Sequence, residues 1–337
     1  MSERPLTFVA VTGAAGFIGS HLVERLVNDG VHVRALVHAN ANCGIGNLSA
    51  LPPDVLGKLD IRFIDILDVN NVKAAVQSVD TVFHLAANIS IPYSTEAPML
   101  FLQTNVIGTY NILQAIREMK ETRTVIISSS EVYGKASGNP LREDHEMCAC
   151  SPYAATKIAA EKLAESYYHS YDADVVIVRP FNTYGPRQSP RAVIPWIVSQ
   201  ALESSDIKLG NVFPVRDFLF VRDNVAGMIA AATANDVQGQ SFNLATGTGI
   251  SVEDLVHKIG SLMGRSLTIH TSASRTRTAN SEVCQRIGDT EKARTKLGWS
   301  PKVGLEEGLM LVIDAARSSM PVTAGERYQA VATGNTI

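Results

Sequence analysis

Apolar residues in the first half of the chain come in short runs. Between the runs they recur every three or four positions. Buried strands alternating with amphipathic helices predict an α/β unit, a doubly wound parallel sheet with helices on both faces. Leu6–Thr12, Val31–Val37, Ile61–Ile64, Thr81–Leu85, Thr124–Ser128 and Val175–Arg179 read as strands. Gly19–Asp29 reads as a helix with Leu22, Val23, Leu26 and Val27 on one face, and Asn105–Lys120 and Ser151–Tyr168 follow as helices. Pro152 stands at the start of the last, where its missing N–H does no harm. After Pro180 come loops rich in Pro, Gly and Arg, shorter elements, and a helix over Val252–Met263. The expected organisation is one domain from residues 1–179 with 219–246, a smaller C-terminal substrate lobe from 180–218 with 247–317, and a loosely ordered tail over 318–337.

Composition narrows the picture only a little. The 337 residues are 45% hydrophobic and 19% charged, as expected of a soluble enzyme. A net charge of −3 gives no reason to expect nucleic acid or an anionic membrane as partner, although clustered arginines can still bind phosphate. No apolar run approaches the roughly 20 residues of a membrane helix, and Met1–Pro5 lacks the regions of a signal peptide, so a cytoplasmic location is expected. Cys43, Cys148, Cys150 and Cys284 make neither a zinc pattern nor a disulfide framework. The isolated C-x-C of Cys148 and Cys150 is read as ordinary thiols, and no metal is expected.

Thr12-Gly13-Ala14-Ala15-Gly16-Phe17-Ile18-Gly19 joins the first strand to the first helix. Glycines so spaced allow a tight turn and close approach of backbone to a pyrophosphate, and the helix N-terminus aims its free N–H groups at the phosphates. This makes the sheet a Rossmann domain, with Gly13, Ala15, Gly16, Phe17, Ile18 and Gly19 as candidate cofactor contacts. The second strand ends at Val37, followed by His38 and Asn40, where NAD enzymes usually carry an acidic residue. No arginine stands there for a 2′-phosphate, and Arg34 lies three residues earlier. NAD and NADP both stay open, with NAD slightly preferred. Asp65 is placed to accept from the adenine amino group, or else to cap the next helix.

Tyr153-Ala154-Ala155-Thr156-Lys157 puts a phenol and an ammonium on one helix face. A phenol near pKa 10 becomes a base when positive charge favours phenolate. Tyr153 then takes a proton from a sugar hydroxyl while hydride leaves its carbon. Ser128-Ser129-Ser130-Glu131-Val132-Tyr133-Gly134 ends the fifth strand, at the sheet edge where doubly wound folds carry chemistry.

With these pieces the chain resembles the extended short-chain dehydrogenases: nucleotide-sugar epimerases, 4,6-dehydratases and decarboxylases. Further similar motifs are Phe83-His84-Leu85-Ala86-Ala87, Asn105-Val106-Ile107-Gly108-Thr109 and Arg179-Pro180-Phe181-Asn182-Thr183-Tyr184-Gly185-Pro186-Arg187. The resemblance implies Ser129 on the substrate O4, Tyr153 as base and Lys157 on the nicotinamide ribose, with Ile66, Leu85, Ala86, Ala87 and Asn105 near the cofactor and Ser90 near the substrate. Glu131 suits removal of a C5 proton once C4 is a ketone. Ser130 stands where typical 4,6-dehydratases carry an aspartic acid. An acetamido-sugar 4,6-dehydratase similar to those of the legionaminic acid route is placed first. A 5,6-dehydratase of the tunicamycin type, a uronic-acid decarboxylase and a 4-epimerase stay open, as does a non-catalytic NAD(P)-binding redox sensor.

A nucleotide-diphosphate sugar is the expected partner. Asn182, Arg191, Arg216 and Arg277 are candidates for its phosphates, because forked guanidinium donors match phosphate oxygens. For Arg216 the competing reading is a local pair with Asp217. His84 is read as a structural or cofactor-lining residue. Helices Pro98–Lys120 and Ser151–Tyr168 carry apolar residues beyond what one sheet face covers, and relatives pair such helices into a four-helix homodimer interface.

Overall fold

The computed structural model describes residues 4–38, 44–119, 121–136, 138–271 and 283–319. Its centre is a parallel seven-stranded sheet. Phe8–Thr12 (β1), His32–His38 (β2), Asp60–Ile64 (β3), Thr81–His84 (β4), Arg123–Ile127 (β5) and Val175–Pro180 (β6) form it together with Ser241–Leu244. The order is Ser241–Leu244, β6, β5, β4, β1, β2, β3. The winding therefore reverses between β1 and β4, and a crevice opens beyond their carboxyl ends.

Both faces of the sheet are covered, so both sets of alternating side chains are apolar. Val9, Val11, Val125 and Val178 pack with Leu22, Leu26 and Met228 on one face. Ala10, Leu36, Val82 and Ile126 pack with Ile112, Ala164 and Tyr167 on the other. A third cluster lies outside the sheet: Ile197, Val198, Leu209, Phe220, Val256, Ile259 and Leu309 bring together helices Val193–Glu203, Val252–Leu262 and Leu305–Ser319. The sheet-poor second half is stitched by short ladders. Val215–Arg216 runs antiparallel to Ile250–Ser251 and parallel to Gln285–Arg286, and Asn182–Tyr184 pairs with Phe218–Phe220.

Two expected helices have other bounds than their patterns indicated. The helix expected over Asn105–Lys120 starts earlier and ends at Ile116, as part of a continuous run, Pro98–Phe101, Leu102–Ile107 and Gly108–Ile116, whose middle segment is π-helical. The widened turn defeats a 3.6-residue period, and such turns gather at functional sites. Helix Pro152–Tyr171 runs three residues past Tyr168 and ends at Asp172, in the left-handed conformation that Asp tolerates. Most of the tail expected after Ser318 lies outside the described residues. No helix among the described residues is long and apolar enough to cross a membrane.

Candidate active site

The glycine loop has the shape its spacing implies. Gly13 has a φ of +67°, and a Cβ there would lie 2.8 Å from the Ala86 amide nitrogen. The Gly16 amide closes the turn onto the Gly13 carbonyl at 2.9 Å. Gly16 caps helix Phe17–Asn28 without any side-chain acceptor, and the first turn carries no acidic residue. The amides of Phe17, Ile18 and Gly19 thus belong to an N-terminus that favours an anion. A backbone cradle that a single Cβ would fill, facing uncapped helix donors, fits a dinucleotide pyrophosphate. Thr12 braces it from below, its Oγ1 accepting from the Leu85 and Ala86 amides at 3.1 and 3.0 Å.

At the adenosine end, His38 is exposed at the close of β2, and Asn40 lies outside the described residues. Arg34 does turn away: its guanidinium pairs with Asp60 at 2.8 Å and donates to the Ala75 carbonyl. Asp65 is not the cap of helix Val69–Val76. That is Asp68, which accepts from the Asn70 and Asn71 amides, while Asp65 holds the turn by accepting from the Leu67 amide at 2.9 Å. The Ile66 carbonyl accepts from Asn111.

Asn105, expected near the cofactor, has its side-chain amide engaged within the protein. It accepts from the Asn88 amide at 2.8 Å and donates to the Asn88 carbonyl and to Thr156 Oγ1 at 3.0 Å. The π-helical turn thereby ties the loop of Leu85, Ala86 and Ala87 to the helix carrying Tyr153 and Lys157. Ser90 caps helix Ile91–Glu96, its hydroxyl accepting from the Tyr93 amide at 3.4 Å. His84 is buried between Thr12 Oγ1 and Thr109 Oγ1 at 2.9 and 3.0 Å, and burial pulls it down to about 3. It is a neutral bridge between β1, β4 and helix Gly108–Ile116.

At the reacting end Ser129 opens the turn Ser130–Tyr133, its hydroxyl accepting from the Glu131 amide at 3.2 Å. Ser130 is buried in that turn. Ser151 starts helix Pro152–Tyr171 by accepting from the Ala154 amide, which puts Tyr153 in the first turn. Burial pushes Tyr153 up to about 12. The Ser129 hydroxyl opposes this shift, the Glu131 charge adds to it, and Arg286 opposes it. Ser129, Glu131, Tyr153 and Arg286 therefore share one site. Lys157 donates to the Ile127 carbonyl at 2.8 Å; burial pulls it down to about 8, against the pull of Glu161. Beneath them Arg179 forms a buried bidentate pair with Glu161 and donates to the Tyr133 hydroxyl at 2.9 Å. This fixes the turn from inside.

Sequence reading missed Arg286. It is fully buried, its Nη1 pairs with Glu131, and its Nε and Nη2 have no hydrogen-bond partner among the described residues. Its place is set by the ladder that aligns Arg286 with Arg216, a pairing with no local signature. Arg216 does not pair with Asp217, whose carboxylate accepts instead from the amides of Thr246, Gly247 and Gly288. Arg216, Arg191 and Asn182 line a cavity of about 760 Å³ beside Trp196 and Phe218. The buried Asn182 Oδ1 in its wall has no partner among the described residues. Arg277 lies outside the described residues.

This architecture agrees with known proteins. The family model for GDP-mannose 4,6 dehydratase matches residues 10–312. A UDP-glucose 4-epimerase of Mycolicibacterium smegmatis is 34% identical over 315 residues, covering 91% of this chain and 98% of the relative. A dTDP-D-glucose 4,6-dehydratase of Mus musculus is 31% identical, covering 92% of this chain and 89% of the relative. The solved structure of MoeE5 in complex with UDP-glucuronic acid and NAD superposes with a TM-score of 0.81 at 33% identity, covering 93% of this chain and 99% of that one. Sequence, fold and site agree, and the chain belongs to the extended short-chain dehydrogenase family of NAD-dependent nucleotide-sugar epimerases and dehydratases.

Proposed function

We propose that the protein is a nucleotide-sugar 4,6-dehydratase acting on a UDP- or GDP-linked N-acetylhexosamine. The observation that carries this reading is the Glu131 carboxylate, held by buried Arg286 beside Ser129 and Tyr153. Bound NAD(P), seated on the glycine cradle, would supply the hydride acceptor for C4 and a positive charge near the phenol.

The chain's own groups have separable tasks. Ser129 orients the sugar O4, and Tyr153 takes its proton. A phenol pushed up to about 12 rests protonated, so it serves as base only while positive charge stands beside it. Glu131 removes the proton from C5 once C4 is a ketone, and the C6 hydroxyl departs as water. The hydride taken from C4 would return from the bound cofactor to C6, leaving a 4-keto-6-deoxy sugar with no net redox change. Ser130 would donate a hydrogen bond to that leaving group, a weaker acid than a carboxyl. Arg191, Arg216 and Asn182 hold the diphosphate across the cavity.

A second reading has its own support. The unpartnered Nε and Nη2 of Arg286 form a cationic donor pair suited to a C6 carboxylate, so a uronic-acid substrate would lose CO₂ from C5 at the same site. Incubation in D₂O separates the two. Loss of one water from UDP- or GDP-N-acetylglucosamine, with deuterium at C5, supports the dehydratase. Loss of CO₂ from UDP-glucuronic acid, with the N-acetylhexosamines unchanged, replaces it. A new exocyclic alkene would assign the 5,6 type, and inversion at C4 without loss of mass the epimerase. A chain that binds the dinucleotide and turns over none of these is a sensor.

The homodimer reading draws on the surface of the helical run Pro98–Ile116, where Met99, Leu102, Ile107 and Tyr110 are exposed. Met99→Glu with Ile107→Glu is expected to halve the mass found by sedimentation. An unchanged mass would move any interface elsewhere.

A further inference from the structure

Cys148 and Cys150 lie on the strap that joins the two segments of the reacting end. The Cys148 amide donates to the Val132 carbonyl at 2.8 Å. Gly134, in the left-handed region, is closed over by the same strap, and a Cβ there would fall 2.9 Å from Cys150 Sγ and run into the Cys148 carbonyl. Cys150 directly precedes Ser151, the residue that starts the helix of Tyr153 and Lys157. Both thiols are free, Cys148 exposed and Cys150 half-buried. Burial and then the neighbouring Cys148 push the Cys150 thiol up, while the Lys135 backbone works against that shift. Among the described residues no further His, Cys, Asp or Glu joins them in a metal-binding group.

We propose that Cys148 and Cys150 form a dithiol switch, oxidised by a small disulfide to an intramolecular disulfide that loosens the Ser130–Tyr133 turn. The two sulfurs must close to about 2 Å to form the bond. Closing the bond contracts the strap. Contraction draws the Cys148 amide off the Val132 carbonyl, a contact that holds the segment carrying Glu131.

The exchange balances without any further reactant. The Cys148 thiolate attacks one sulfur of the small disulfide; a mixed disulfide forms and one small thiol leaves. Cys150 gives its proton to solvent and attacks Cys148 Sγ, so the Cys148–Cys150 bond forms and the second small thiol departs. Two protein thiols are oxidised and one small disulfide is reduced to two thiols. The order follows from environment: Cys148 is exposed, whereas burial first and the neighbouring Cys148 second push the Cys150 thiol up, which suits it to resolve rather than to attack.

The test treats the full chain with oxidised glutathione and reads peptide mass together with amide hydrogen exchange, so neither readout depends on knowing the sugar. The expected product lacks two hydrogens in the peptide spanning Cys148 and Cys150. Exchange at Val132–Lys135 should rise about tenfold and return after dithiothreitol, and Cys148→Ser should hold the reduced pattern throughout. A glutathione adduct that stays on Cys148 without resolving would overturn the switch. So would a disulfide that forms with no change of exchange at Val132–Lys135.

Discussion

The two ends of the site are assembled differently. At the dinucleotide end the working groups are neighbours in sequence: Gly13 to Gly19 is one loop, and Tyr153 and Lys157 share one helix. At the proposed sugar end Glu131, Asn182, Arg216 and Arg286 arrive from four separate segments, two of them paired only through a two-residue ladder. On the proposed reading, reactivity common to many substrates is thus encoded locally, whereas the groups that distinguish substrates meet only through the tertiary fold. The local set should therefore govern whether the enzyme works at all, and the assembled set which reaction it performs.

The largest effect is expected from the local set. Tyr153→Phe removes the base and should lower turnover about 10³-fold, within the range of general acid–base catalysis. Dinucleotide affinity by calorimetry should stay unchanged, since the pyrophosphate cradle lies on another segment. Loss of both together would mean that Tyr153 supports the fold of the site rather than its chemistry.

The same contrast explains what the sequence made legible. The parallel sheet, the glycine turn and the Tyr–Lys pair each rest on periodicity or spacing within one element, and each stands where expected. Asn105 was visible as a site residue but not in its task, because its partners Asn88 and Thr156 lie 17 and 51 residues away. Arg286 was invisible. A lone arginine in a short strand is usually a surface residue, and only the ladder with Val215–Arg216 buries it against Glu131.

Arg286→Met probes the assembled set. It removes one charged hydrogen bond, worth about 1.5–3 kcal/mol, and should slow the C5 step roughly 10- to 100-fold while C4 oxidation persists. Deuterium exchange at C5 reads the first and transient reduced cofactor the second. Equal loss of both steps would break the division between the two ends.

A smaller effect concerns Lys157, whose ammonium burial pulls down to about 8. The step that depends on that charge should weaken as pH rises past about 8, giving kcat/KM a falling alkaline limb there. Lys157→Arg keeps a fixed charge, so its rate is lower but the limb should move to higher pH. A limb that stays near 8 in the variant would assign it to another group.

The smallest expected effect is on stability, and it tests whether the local end is also the rigid one. His84 stays neutral in the fold because burial pulls it down to about 3, and His21 is held at about 4, again chiefly by burial. In the unfolded chain each titrates near 6.5, so between that pH and the folded values the unfolded state binds more protons. The stability from keeping these rings neutral is therefore fully present above pH 6.5 and is lost as pH falls through the two folded values. His84→Gln should lower the urea midpoint at pH 7, because Thr12 and Thr109 lose their bridge, yet flatten the decline between pH 6.5 and 4. A variant with the wild-type slope would assign the acid sensitivity to His21. That ring donates to the Pro186 carbonyl and contacts Arg187, so the acid-sensitive joint would then lie where the second half of the chain meets the helix that follows the glycine loop.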